Sequence, residues 1–144
     1  MPLKSKIETV INSLEEIKQI MYEDEFNANE QLDYSELPVA LMFIITDLKF
    51  NLKNGNLREK GEIQLFFLNQ ETVSPTGENI QETVSPMQRL ALKFLVASRE
   101  SGYIIDNEEN INIQTVYDEF DASLSGVTFR FTAIEKQGIC ESEL

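Results

Sequence analysis

Of the side chains that carry most enzyme chemistry, this sequence offers many carboxylates, one thiol and no imidazole. Without histidine the commonest general base is missing and a Ser–His pair is excluded. Cys140, the one cysteine, has no histidine to activate it and stands near the tail, so it reads as an incidental thiol; a disulfide within the chain is impossible. The six glycines are scattered singly in turns, which leaves no loop to cradle a phosphate. Three acidic groupings have the charge to meet a cation. Glu23-Asp24-Glu25 reads as a solvated face. The stretch from Asp106, DNEENIN, alternates oxygen-bearing side chains like a calcium loop. It lacks the turn glycine at its sixth position, where Ile111 stands, and the distal bidentate glutamate at its twelfth, where Tyr117 stands, so it reads as a turn. Asp118, Glu119 and Asp121 fall at a strand end, where charge discourages edge pairing. No catalytic, cofactor-binding or metal-ligating set emerges, and the expectation is a protein that is not an enzyme and carries no cofactor.

The elements that position these groups are legible from periodicity. Residues 4–21 place Ile7, Val10, Ile11, Leu14, Ile17, Ile20 and Met21 on one stripe, which predicts an amphipathic helix, with Ser5 and Glu8 as a capping box. Residues 22–36 are acidic and irregular and read as a connection. From Leu37 the period becomes two. Phe43, Ile45, Asp47, Lys49 and Asn51 lie on one face of a single predicted strand, Ile44, Thr46, Leu48, Phe50 and Leu52 on the other, with Pro38 at its start. KNGNLREKGE, with its Asn54-Gly55 step, reads as a ragged polar hairpin tip before the strand EIQLFFLNQ. A second helix is expected over 86–101, with Leu90, Phe94, Leu95 and Ala97 or Ser98 inward and Gly102 capping its end. YIID, INIQTVYDEFD and VTFRFTAIEK read as strands, separated by the turns NEENIN and ASLSG. In the last strand Val127, Phe129, Phe131 and Ala133 alternate with Thr128, Arg130, Thr132 and Ile134. The order predicts an α+β fold: an antiparallel sheet with two helices packed on one face, in a single domain over residues 1–144.

One motif is written twice. QETVSP occurs at 70–75 and again at 81–86. The second copy reads as a helix start, with Ser85 as N-cap, Pro86 at the first helical position and Gln88 completing a capping box. The first copy has no apolar periodicity behind it. The stretch 69–85 therefore reads as an extended polar arm. A local duplication in an insertion-tolerant loop accounts for the repeat, and a binding motif is the alternative.

Charge narrows the partners. With 25 acidic against 12 basic residues the net charge is −13, which opposes binding to nucleic-acid phosphates or an anionic membrane surface. The longest apolar run, seven residues, is too short to span a bilayer, and MPLKSKIETV has no signal-peptide stretch. The one basic cluster is Lys49, Lys53, Arg58 and Lys60, expected as a solvated hairpin tip.

The terminal phrase YDEFDASLSGVTFRFTAIEKQGIC gives a strand, an L-S-G-V turn, a strand and a short tail ending at Gly-Ile-Cys. In this phrase and in its element order the chain resembles phage morphogenesis proteins of the tail-terminator and head–tail neck type, in particular those of Bacteroidetes prophages. The resemblance implies a structural virion protein, assembled in the bacterial host cytoplasm as a closed ring, often a hexamer, that joins the tail tube to the capsid connector. It implies self-association and contacts with tail-tube and connector proteins, without specific nucleic-acid or membrane binding. The surfaces expected to make those contacts are the arm, through Glu71, Val73, Pro75, Ile80 and Val84, and the hairpin tip, through Lys53, Arg58 and Lys60. The surplus of carboxylates suits a lumen through which DNA passes without adhering. The alternative is an acidic DNA mimic that inhibits a host nucleic-acid-binding protein. Such a mimic needs carboxylates spaced along one face, whereas here they occur in every segment.

Overall fold

The computed structural model of the chain describes residues 2–22, 36–45, 49–53, 56–70, 78–106, 110–119, 124–140 and 142. These form the expected α+β fold. In chain order the elements are α1 (Leu3–Asn12), β1 (Gln19–Tyr22), β2 (Val39–Ile44), β3 (Lys49–Lys53), β4 (Asn56–Gln70), α2 (Glu78–Ser98), β5 (Tyr103–Asp106), β6 (Gln114–Glu119), β7 (Leu124–Glu135) and β8 (Ile139–Cys140). All the strands join one sheet built on the central antiparallel pair β4 and β7, which runs in register from Lys60↔Ile134 to Gln70↔Leu124. On the other edge of β4, β3 pairs with residues 56–60 and β2 with residues 63–68. The outer edge of β7 is shared by β6 and β5. Among the described residues only β1 runs parallel to its neighbour, β2.

Period-two alternation sorts the side chains between two faces. Ala40 and Met42 of β2, Ile63, Leu65 and Phe67 of β4, and Val127, Phe129, Phe131 and Ala133 of β7 point to one side. There they meet Ile7, Val10 and Ile11 of α1 and Val84, Met87, Leu90, Ala91 and Phe94 of α2 in the main core. Phe94 sits at its centre, its ring centroid 6.1 Å from that of Phe67, 5.8 Å from Phe129 and 5.6 Å from Phe131. The opposite face holds a smaller buried cluster of Met21, Val39, Leu41, Phe66, Leu68 and Leu124.

Several boundaries differ from the sequence reading. The first helix is shorter than residues 4–21. It ends at Asn12, where the Ser13 hydroxyl bonds the Val10 carbonyl and competes with the helical ladder. Residues 19–22 are instead strand β1. A strand sends Ile20 and Tyr22 to the helix side and Met21 to the opposite cluster, a division that a helical stripe cannot make. The Ser5–Glu8 capping box is absent. The helix starts at Leu3 after Pro2, with no side-chain cap, and Glu8 accepts a hydrogen bond from the Tyr22 hydroxyl. The single strand expected from Leu37 is two, β2 and β3, both laid along β4. NLREKGE is regular strand rather than part of a ragged tip, and Asn56 pairs directly with Lys53; the Asn54-Gly55 step lies outside the described residues. The ASLSG turn is also shorter, because Leu124, Ser125 and Gly126 already belong to β7. Gly126 is needed there as strand: a Cβ would stand 1.9 Å from the Phe67 carbonyl oxygen.

The largest difference concerns the arm. Helix α2 begins at Glu78, so the second QETVSP is helical, Ser85 is not its cap and Pro86 lies inside it. The core-facing stripe Val84, Met87, Ala91, Phe94, Ser98 keeps its three-and-four spacing through the proline, and burial of Thr83 and Val84 outweighs the lost backbone bond. Beyond Ser98 the amides of Arg99, Glu100 and Ser101 bond carbonyls three residues back, so the last turn tightens and Gly102 does not cap it.

Candidate functional site

The first five residues of β4, with β3 on one side and β8 on the other, form a small ribbon at one end of the sheet. Directly paired residues share a face, so Lys49 lies beside Lys60, and Arg58 lies two positions further along β4 on that same face. This is the face away from the helices. It continues through Glu62 and Gln64 to Arg130, which pairs with Gln64. The Arg58 Nε is buried there without a hydrogen-bond partner. The helix-side face of the ribbon is apolar and open: Phe50 is 56% exposed and Ile139 46% exposed. Gly138 lets the tail come close alongside β4 at this point, since a Cβ would stand 1.6 Å from the Leu57 carbonyl oxygen.

A buried polar tether fixes the ribbon to the helix layer. Glu59 and Glu135, both buried, occupy helix-side positions on β4 and β7. The Leu3 amide, at the start of α1, donates to Glu59 Oε2 at 3.0 Å, and the Glu59 amide donates to Glu135 Oε1 at 2.8 Å. Lys6 completes the set by pairing with Glu135 and donating to the Gln137 carbonyl at 3.3 Å. A carboxylate thus meets the positive end of α1 in place of a capping side chain. At the other end of the helix layer Lys93 pairs with Glu16 at 2.7 Å, and this pairing holds the Glu16 carboxyl below its ordinary value. Burial pushes the Tyr103 hydroxyl up to about 12, although it bonds Ser98 at 2.7 Å.

The residues assigned to partner contacts separate accordingly. Arg58 and Lys60 stand on the cationic face of the ribbon with Lys49, and the Lys53 backbone pairs with Asn56. Val84 does not belong to a free arm. It is 4% exposed in the core, because the helix starts before it. Ile80 is in the first turn of α2. Glu71, Val73 and Pro75 lie outside the described residues, as do Glu23-Asp24-Glu25 and Asp121. Sequence reasoning passed over Glu59, Glu135, Phe50 and Ile139. The signal for Glu135 was present: it continues the buried alternation Phe129, Phe131, Ala133 by one more step.

The described residues also line several concavities, two of which lie near these elements. A polar cleft of ≈ 460 Å³ on the helix-free face is lined by Gln64, Asn110, Asn112, Gln114, Thr128 and Arg130. A groove of ≈ 650 Å³ runs beside Pro38, Asn69, Pro86, Met87 and Leu90 at the start of α2. Among the described residues no three His, Cys, Asp or Glu side chains stand together to hold a metal, and no helix is long and apolar enough to cross a membrane. Compared with known proteins, the chain matches no protein-family model and no curated protein sequence.

Proposed function

We propose that the chain is a structural phage morphogenesis protein of the tail-terminator or neck type, a non-enzymatic subunit whose copies close into a ring joining tail tube to capsid connector in the virion. The observation that carries this reading is the ribbon of β3, β4 and β8. It projects an apolar face with Phe50 and Ile139 exposed and a cationic face with Lys49, Arg58 and Lys60, on a chain whose net charge is −13. Such a two-faced projection has the chemistry of a contact surface, and a heterologous contact repeated by rotation closes a ring. The remaining acidic surface suits a lumen that passes DNA without holding it.

Sedimentation velocity and negative-stain imaging of the purified chain, alone and with a tail-tube protein, test the proposal. Rings or defined oligomers are expected. A strict monomer at high concentration, both alone and with the tube protein, overturns it.

A further inference from the structure

The stretch N-I-N-I-Q, residues 110–114, alternates with a period of two, and the core uses only its apolar half. Ile111 and Ile113 pack against the main core, while Asn110, Asn112 and Gln114 are exposed. Gln114 enters β6 opposite Thr128 of β7. The three amides form one wall of the polar cleft on the helix-free face, a space of ≈ 460 Å³ whose floor is Gln64, Thr128 and Arg130. Hydrogen bonds preset that floor. The buried Thr128 hydroxyl donates to the Leu65 carbonyl at 2.9 Å, so it accepts from Gln64 Nε2, also at 2.9 Å. The Gln64 amide is thereby oriented, with its Oε1 turned away from Thr128 to accept from another partner.

The polar side chains lining the cleft are four carboxamides, one hydroxyl and one guanidinium. Phe129 also lines it, with its ring turned into the main core, 5.8 Å from that of Phe94 between centroids. Among the described residues no carboxylate, thiol or aliphatic side chain lines the cleft, so neither a hard cation nor an apolar ligand finds its partners there. An anion finds Arg130, but the next row on the same sheet face is Glu62, Thr132 and Asp106, paired across β4, β7 and β5. One guanidinium therefore stands beside two carboxylates, which disfavours an anionic ligand. A nucleobase lacks an aromatic ring in the cleft on which to stack. The polar groups rise from a sheet face and not from an open strand edge, where an extended peptide adds.

The ligand that remains is neutral, with groups that each donate and accept, as a carboxamide does. Vicinal sugar hydroxyls have this property. Phe43 pairs with Gln64 and is half-buried on the same face, which gives the C–H side of a pyranose an apolar neighbour. We propose that the cleft between residues 110–114 and the β4–β7 pair binds a short neutral saccharide. The carboxamides of Gln64, Asn112 and Gln114 exchange hydrogen bonds with its hydroxyls, and Arg130 donates to one of them. The cleft volume lies within the range of about 300–1,000 Å³ typical of small-ligand sites. This site is independent of the ring reading, and neither stands or falls with the other.

The test titrates the isotope-labelled chain with cellotriose, maltotriose, chitotriose and mannotriose and follows the side-chain NH2 signals of Gln64, Asn112 and Gln114 by NMR. At least one of these saccharides is expected to shift all three signals saturably, with a Kd on the order of 1 mM, as a few net neutral hydrogen bonds supply. Binding should change by less than about twofold between roughly 50 and 500 mM NaCl, because the ligand carries no charge. N112A/Q114A is expected to weaken it about tenfold or more. Gln88→Ala, on the exposed side of α2, should leave it unchanged. Backbone signals establish that each variant folds, and Asn112→Ser serves if the double variant does not. Silence of the three signals with all four saccharides up to about 20 mM overturns the proposal, as does binding that N112A/Q114A leaves intact. Binding of inorganic phosphate or trigalacturonate in place of the neutral sugars, lost in Arg130→Gln, assigns the cleft to anions and refutes it. An uncharged peptide, Gly-Ser-Asn-Ser-Gly, that shifts the same signals when no saccharide does assigns it to peptides and refutes it equally.

Discussion

The residues before Pro86 decide how much of this chain is free to reach a partner, and the substitution Val84→Ala measures it. Val84 is 4% exposed on the core-facing stripe of α2. Removing two buried methyl groups at about 0.8 kcal/mol each costs roughly 1.6 kcal/mol, and incomplete collapse of the cavity adds to it. Alanine returns up to about 0.5 kcal/mol through its better helix propensity. The net expectation is a loss of about 1.5 kcal/mol, or roughly 3–6 °C in Tm for a domain of this size. Val96, on the same helix, is 62% exposed, so Val96→Ala recovers propensity without losing burial and should be neutral or slightly stabilising. The pair therefore separates packing from propensity, because the same substitution on one helix is expected to change sign. Urea unfolding followed by far-UV circular dichroism is the assay, since the chain has no tryptophan. If Val84→Ala behaves like Val96→Ala, the helix does not dock before Pro86, and residues 78–85 belong to an arm after all.

Four other outcomes follow from the same packing. Glu135→Gln should cost about 2 kcal/mol in urea unfolding, because an amide cannot satisfy both Lys6 and the Glu59 N–H from the same buried position. Gly126→Ala should remove more than about 3 kcal/mol or prevent folding, as its Cβ would meet the Phe67 carbonyl at 1.9 Å between two central strands; a soluble, natively stable variant contradicts that packing. Pro86→Ala should stabilise by about 1–2 kcal/mol, by restoring a helical bond to the Glu82 carbonyl against a smaller entropy gain of the unfolded chain. Tyr103, raised to about 12 from 10.0 chiefly by burial, binds its proton more tightly in the folded state; its contribution is intact below pH 10 and falls away as pH rises from 10 to 12, by about 1.4 kcal/mol per pH unit. Tyr103→Phe should lack that part of the alkaline slope, and parallel pH profiles for the two chains would show that the hydroxyl is not buried.

What the sequence determined by itself was the fold class, the strand-forming segments of the sheet other than β1 and β8, and the inward set of the last strand, Val127, Phe129, Phe131 and Ala133. These follow from local periodicity, which burial on one face requires of any strand or helix. Four basic residues crowded into positions 49–60 were equally legible as a cluster. Only the tertiary structure decided where elements end and what they face. Ile17, Ile20 and Met21 continue a helical stripe in sequence, yet an open edge of β2 offered backbone pairing and a second apolar face, so 19–22 became a strand. Pro86 reads as a helix start by local chemistry, yet the sheet's apolar surface extends far enough to hold a further turn and Val84 beneath it. The cations became one face, rather than a ragged tip, because β3 and β4 pair in a register that puts Lys49 beside Lys60. Register is a long-range property, set by which strands meet, and no local pattern within residues 49–60 contains it.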